Sequence, residues 1–284
     1  MKEYRAAVLV PEKHGLGESP FYDAARERLS WVDITAGKLC TLSGGRRECI
    51  DLREEAGAAI PLRTGEFLIA GKKSLWILRN GERLEIADMK GLYRDFQRSN
   101  DAKADPFGRV YFGSSVLDGD SHEACGNLYR YDRGKVDVVQ PDTLISNGMA
   151  WSADRKTFFF SDSLYHAVFA YDYDPDTGDI SGRREIFRIG GGVPDGMCID
   201  TQDRLWVAVW GGRRIECRNP ATGETEAVVH VPAEHVTSCC FWGKAMNQLF
   251  ITTSGNGLRG EQDGYLFACE VDAEGTGTDY PAAE

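Results

Sequence analysis

The sequence predicts an all-β chain folded as a six-bladed β-propeller with four-stranded antiparallel blades, and three observations lead there. The apolar runs are short, rich in aromatic and β-branched residues, and bounded by Gly, Asp, Asn and Pro, with 32 glycines among 284 residues; this is the grammar of strands and turns. No segment sustains a 3.6-residue apolar period over the length of a helix. One short strand recurs six times at intervals of 38 to 48 residues, the spacing of radial modules.

Taken in order, the recurring strands are LSWVDI from residue 29, FLIAGK from 67, VYFGSS from 110, FFFSDS from 158, LWVAVW from 205 and LFITTS from 249. Each is followed by a second strand of related shape: KLCTLSG from 38, LWILRNG from 75, NLYRYDRG from 127, AVFAYDYD from 167, RIECRNPATG from 214 and YLFACEVD from 265. Polar turns such as DAARER, DPFGR, SADRK and DTQDR precede most of the first set. A β-sandwich also spaces its strands at short intervals, but it gives no reason for a sixfold repeat. With no linker and no break in the period, the chain is expected to be one domain, 1–284, with a frayed tail from about residue 275. The segment Tyr4–Val10 is expected to supply the outer strand of the last blade, which closes the ring and removes an open sheet edge.

Formal charge is −11, from 33 basic and 44 acidic residues with no run of five like charges. Such a chain lacks the clustered basic footprint of nucleic-acid or anionic-membrane partners. The apolar stretch Ala6–Val10 is too short for a signal peptide core, and nothing reaches the length of a membrane span. The eight cysteines (40, 49, 125, 198, 217, 239, 240 and 269) form no CxxC pair. They read as reduced thiols packed as small hydrophobes in a cytoplasmic protein, the adjacent Cys239 and Cys240 included. A monomer or a weak homo-oligomer is expected. The five histidines are scattered over the repeats and read as structural or surface residues, His122 being the exception beside a candidate substrate loop; the six tryptophans read as packing between blades.

Counting back nine to twelve residues from the six recurring strands gives Glu18, Ala58, Asn100 with Asp101, Asn147, Asp195, and Thr237 with Ser238. With the recurring strand taken as the innermost of each blade, a propeller brings the loops that enter these strands together at one mouth of the channel, so four of the six blades present a carboxylate or carboxamide there. Oxygen donors of this kind suit one hard divalent ion, Ca²⁺ foremost, with Mg²⁺ or Mn²⁺ as alternatives. No His or Cys stands in the register, which argues against a dedicated zinc site and leaves Zn²⁺ as a lesser choice. Asn147-Gly148 and Asp195-Gly196 also read as ordinary turn pairs, but Glu18 is in no such pair, and turns alone do not explain the shared register.

The segments GLGESPFYD, RSNDAKADPFGRVYFGS, SNGMAWSADRKTFFFSDS, PDGMCIDTQDRLWVAVWGG and VTSCCFWG resemble, in order and spacing, the SMP-30/gluconolactonase family of regucalcins and sugar lactonases. The resemblance covers nearly the whole chain. It implies Glu18, Asn147 and Asp195 as metal ligands and Arg98 and Asn100 as the residues that hold the hydroxyls of a sugar lactone. Asp101 follows Asn100 as in the family, and is expected as a further ligand, a substrate contact or a partner behind the ligands. Glu123 matches the family's sugar-contacting glutamate only with a one-residue shift of its loop.

The implied reaction is metal-dependent hydrolysis of an aldonolactone of the gluconolactone kind, with the cation polarising the carbonyl and Asp195 as general base; alternatively Asp195 is a ligand only and the ion itself activates the water. Two other readings share the site: a calcium- or small-molecule-binding propeller without turnover, and an arylesterase or phosphotriesterase, which a wider and more apolar channel mouth would favour.

Overall fold

The computed structural model describes residues 1–116 and 126–282. Six sheets stand in chain order around one axis. Blade one runs Gly17–Asp23, Arg28–Asp33, Lys38–Ser43 and Arg46–Asp51, each strand antiparallel to the next, and blades two to five repeat the plan from Ala56, Gln97, Ser146 and Val193. Blade six takes His235–Trp242, Gln248–Ser254 and Leu266–Glu270 from the C-terminal end and its outermost strand, Ala7–Val10, from the N-terminus, as the sequence leads one to expect. The preceding residues Lys2–Arg5 pair in parallel with Thr225–His230 and add a fifth strand to blade five. Among the described residues only Ala24–Arg26 and Ser163–Tyr165 are helical, each a single 3₁₀ turn, and no helix is long and apolar enough to cross a membrane.

Burial falls from the axis outward, and composition follows it. The second strands are buried on both faces and so read as continuous apolar runs. The outermost strand of blade one, RRECID, is exposed throughout. Six apolar clusters fill the six gaps between neighbouring blades. Trp206, Phe241 and Phe267 meet between blades five and six, and Trp31, Leu29 and Phe250 between blades six and one. Each blade is therefore wedged on both sides, and the ring has no free face.

The innermost strands are small and polar, as in GESPFYD, AGAAIP and SNGMAW. Their pairing with the second strand slips once in every blade: after Glu18, between Ala56 and Ala58, between Ser99 and Ala102, between Ser146 and Met149, between Pro194 and Met197, and between Val236 and Ser238. These are β-bulges, which turn a side chain out of the ladder. The expected site residues thus lie inside the innermost strands, at a sixfold bulge, rather than in loops leading into them, and the recurring apolar strand is the second of each blade.

Two further expectations change. Cys40 and Cys49 stand opposite each other on adjacent strands and form a disulfide, so the reading of every cysteine as a reduced thiol is corrected at this pair. The five free cysteines among the described residues are all buried. The closing segment, expected to fray, is tied down as far as Ala282. Thr276 donates to Ile199 O, Thr278 Oγ1 to Tyr22 O, Tyr280 OH to the Asp23 carboxylate, and Ala282 N to Gly108 O. It crosses the far mouth of the channel as a strap from blade five to blade three. Beneath it lies a cavity of about 330 Å³ lined by Phe21, Lys103, Trp151, Phe241 and Asp279.

Candidate active site

The near mouth holds a cavity of about 280 Å³ whose polar wall is Glu18, Arg98, Asn100, Ser115, Asn147, Ser163 and Asp195. Glu18, Asn147 and Asp195 come from the bulges of blades one, four and five. The glycines after Asn147 and Asp195 have no left-handed backbone, so they do not serve as turn residues. A Cβ on Gly148 would lie 2.6 Å from Asp195 O, and one on Gly196 would lie 2.1 Å from Ser238 Oγ. Both are glycine because the next inner strand comes too close for a side chain.

Hydrogen bonds fix the carboxamides. Asn147 Nδ2 donates to Ser163 Oγ at 2.7 Å, and Ser163 Oγ donates in turn to Pro194 O at 2.7 Å. The Asn147 oxygen is thereby turned the other way, where it accepts from Asn100 Nδ2 at 2.9 Å. Asn100 also donates to Ser146 O and accepts from Arg98 Nη1 at 2.8 Å. Glu18 Oε2 accepts the Ser19 amide at 2.8 Å, and Ser19 holds a φ of 50° with its buried hydroxyl unpartnered among the described residues, the kind of local strain that collects at functional positions.

The electrostatics are those of too much negative charge in too little water. Burial, with repulsion from Asp101, pushes Glu18 up to about 8 against the pull of the Ser19 amide and Arg98. Asp195 is raised well above the carboxylate range by burial and by Glu18 and Asp101. Burial also raises Asp101, with Lys103 and the Ala102 amide opposing it, and lowers Arg98 against the acids beside it. Two carboxylates and an oriented carboxamide in such surroundings are a donor set for a hard divalent cation. Among the described residues no group of three His, Cys, Asp or Glu side chains is placed to hold a metal ion, so a set of three donors on this wall would need an amide oxygen beside the two carboxylates.

Arg98 and Asn100 stand on the cavity wall with these three residues. Asp101 is buried but off the wall, its Oδ1 accepting the Ala102 amide at 2.8 Å, which places it behind the site. Glu123 and His122 lie outside the described residues. Sequence reasoning missed Ser163 and Trp210. Both are the sixth residue of a recurring strand, as are Ile34 and Ser115, and all four line the cavity. The same repeat that yields the bulge therefore contained the signal. Trp210, read as packing, is half-buried on the cavity wall with the His235 ring stacked on it at 3.9 Å.

Comparison with known proteins adds the following. The family described as "SMP-30/Gluconolactonase/LRE-like region" matches residues 16–255. Regucalcin of Danio rerio is 34% identical over 266 residues, covering 92% of this chain and 90% of its own length. Among solved structures, a luciferin-regenerating enzyme superposes with a TM-score of 0.92 at 26% identity over 99% of this chain and 100% of that one. A calcium-binding protein, regucalcin, of Agrobacterium tumefaciens superposes with a TM-score of 0.91 at 23% identity over the whole of both chains, a likeness of fold.

Proposed function

The chain belongs to the SMP-30/gluconolactonase/LRE-like family, and on that premise we propose that it is a divalent-metal-dependent lactonase that opens a sugar lactone to its aldonic acid. One observation carries the reading: Glu18, Asn147 and Asp195 share one cavity wall with Arg98 and Asn100. Carboxyl and amide oxygens of the first three would hold the ion, and the regucalcin name of the relatives, one of them described as calcium-binding, favours Ca²⁺. When bound, the cation supplies Lewis-acid polarisation of the lactone carbonyl.

The chain's own residues do the rest. Arg98, anchored through Nη1 to Ser99 O and Asn100 Oδ1, offers its other N–H groups to the hydroxyls of the substrate. Asp195 accepts the proton of the attacking water, with the carboxylate oxygen that it does not give to the cation. The water oxygen bonds to the carbonyl carbon, the carbon–ring-oxygen bond breaks, and the proton passes from Asp195 to the departing ring oxygen, leaving the open hydroxy acid.

A second reading has one observation behind it. Leu16, Ile34, Ile145, Leu164, Val193 and Trp210 also line the cavity, an apolar lining that an aryl ester or organophosphate would use.

The decisive measurement is proton release at constant pH from a panel of aldono-1,4- and 1,5-lactones, alongside phenyl acetate and paraoxon, on chelator-stripped protein with each divalent ion restored. Ion-dependent opening of at least one aldonolactone is expected. Acceleration confined to the aryl substrates would select the second reading, and no acceleration at all would leave a binding protein. Asp195→Ala is expected to keep the fold by circular dichroism and lose turnover; a near-wild-type rate would move the reaction away from this cavity.

A further inference from the structure

The apolar half of the cavity is built by the same repeat as its polar floor. Leu16, Ile145 and Val193 stand two residues before Glu18, Asn147 and Asp195, one layer nearer the mouth. Each meets the end of the second strand of its own blade. Ile34 N donates to Leu16 O, Ser163 N donates to Ile145 O with Leu164 next in the chain, and Val193 is in register with Trp210. In blade three the equivalent residues are Arg98 and Ser115, also in register. The collar above the floor is therefore apolar over blades one, four and five and polar at blade three. Ser163 adds no polarity to that arc, because its hydroxyl is engaged by Asn147 and Pro194.

A fully hydroxylated aldonolactone carries hydroxyls around its whole edge. Those turned toward Ile145, Leu164, Val193 and Trp210 would leave water and meet no polar partner, whereas a methyl or methylene there would bury against them. We infer that the preferred substrates are lactones with hydroxyls along one edge, directed at Arg98, and a deoxygenated alkyl edge opposite, that is, deoxy-aldonolactones. The indole face of Trp210, stiffened by the stacked ring of His235, is the surface on which that edge lies. This rests on the lactonase reading of the same site and names its substrate class.

The test uses pairs that differ by a single oxygen: L-rhamnono- against L-mannono-1,4-lactone, and L-fucono- against L-galactono-1,4-lactone. With the wild-type protein and its most activating ion, kcat/KM is expected to favour the deoxy member of each pair by about tenfold to a hundredfold, as one hydroxyl in an apolar pocket allows. Leu164→Asn and Trp210→Gln, each placing a polar group in the collar, are expected to cut that ratio several-fold, mainly through KM, while leaving thermal stability near wild type. A ratio of one or less in both pairs overturns the inference and leaves the lactonase reading standing; so does a ratio above one that both variants leave unchanged. If no lactone is hydrolysed, the lactonase reading falls, and calorimetric titration with the same four compounds decides the inference alone. Tighter binding of the deoxy members, weakened by Trp210→Gln, supports it; equal, reversed or undetectable binding overturns it.

Discussion

Asn147 shows how a single residue of the site is prepared. Its amide nitrogen is spent on Ser163 and its oxygen accepts from Asn100, another residue of the cavity wall, so the side chain arrives already oriented and loses little entropy on taking a ligand. Ser163→Ala removes that constraint and leaves Pro194 O without its donor. The expected loss is about 1 to 3 kcal/mol of stability and about 10- to 100-fold in cation affinity. Turnover of Ser163→Ala should then return toward wild type as the ion concentration is raised, which a titration of rate against added metal reads directly; a low rate that saturating ion does not restore would put the role of Ser163 elsewhere. Glu18, Asn147 and Asp195 were legible in the sequence because acids and amides standing in one register of a repeat are hard to explain otherwise. Ser163 and Trp210 were not, because at the end of an apolar strand a serine reads as a boundary and a tryptophan as packing.

Among elements, the innermost strands do the most and announce themselves least. A strand at the axis faces its five counterparts across a narrow channel, so it is made of small and polar residues, and its six copies GESPFYD, AGAAIP, QRSNDAKA, SNGMAW, VPDGMCI and HVTSCCFW share no apolar pattern. The second strands, buried on both faces, carry the pattern that made the repeat visible. This is why the number of blades could be read from sequence while the bulges appeared as loops. Bulge and close approach depend on each other, and Gly148 is where both can be tested. A Cβ there meets backbone, at 2.6 Å from Asp195 O and 2.8 Å from Met197 N, and backbone cannot rotate away. Gly148→Ala must separate the inner strands of blades four and five between two of the expected ligands. It is expected to cost about 1 to 3 kcal/mol of stability and more than about tenfold in rate, since small misplacement of a catalytic group is expensive. Urea unfolding and the proton-release assay on one preparation check both; an unchanged rate would mean that the spacing of these strands does not set the site.

At the scale of the whole molecule the ring is fastened at both ends of the chain. The N-terminal closure was legible because Ala7–Val10 is an apolar run with no other sheet to join. The C-terminal strap was not, since EGTGTDYPAAE has no apolar period, and its described residues, as far as Ala282, dock through backbone and hydroxyl bonds spread over blades five, six, one and three. Its docking carries an electrostatic cost that pH should reveal. Asp279 lines the cavity beneath the strap, and burial together with repulsion from Asp105 lifts its carboxyl from 3.8 to about 6, with Arg155, Lys103 and Arg63 offsetting part of the rise. A carboxyl whose proton affinity is higher in the folded state favours folding fully below about pH 4 and loses that contribution as pH climbs through about 6. The full shift is worth at most about 3 kcal/mol. Asp279→Asn keeps the shape and removes the charge, so it should stabilise the protein, and the gain should grow by about 1 kcal/mol between pH 5 and pH 7.5 as the wild-type carboxyl ionises in place. Unfolding free energies of the pair at each pH measure it. A difference that stays constant over this range would show that the carboxylate is solvated and that the strap is held by its hydrogen bonds alone.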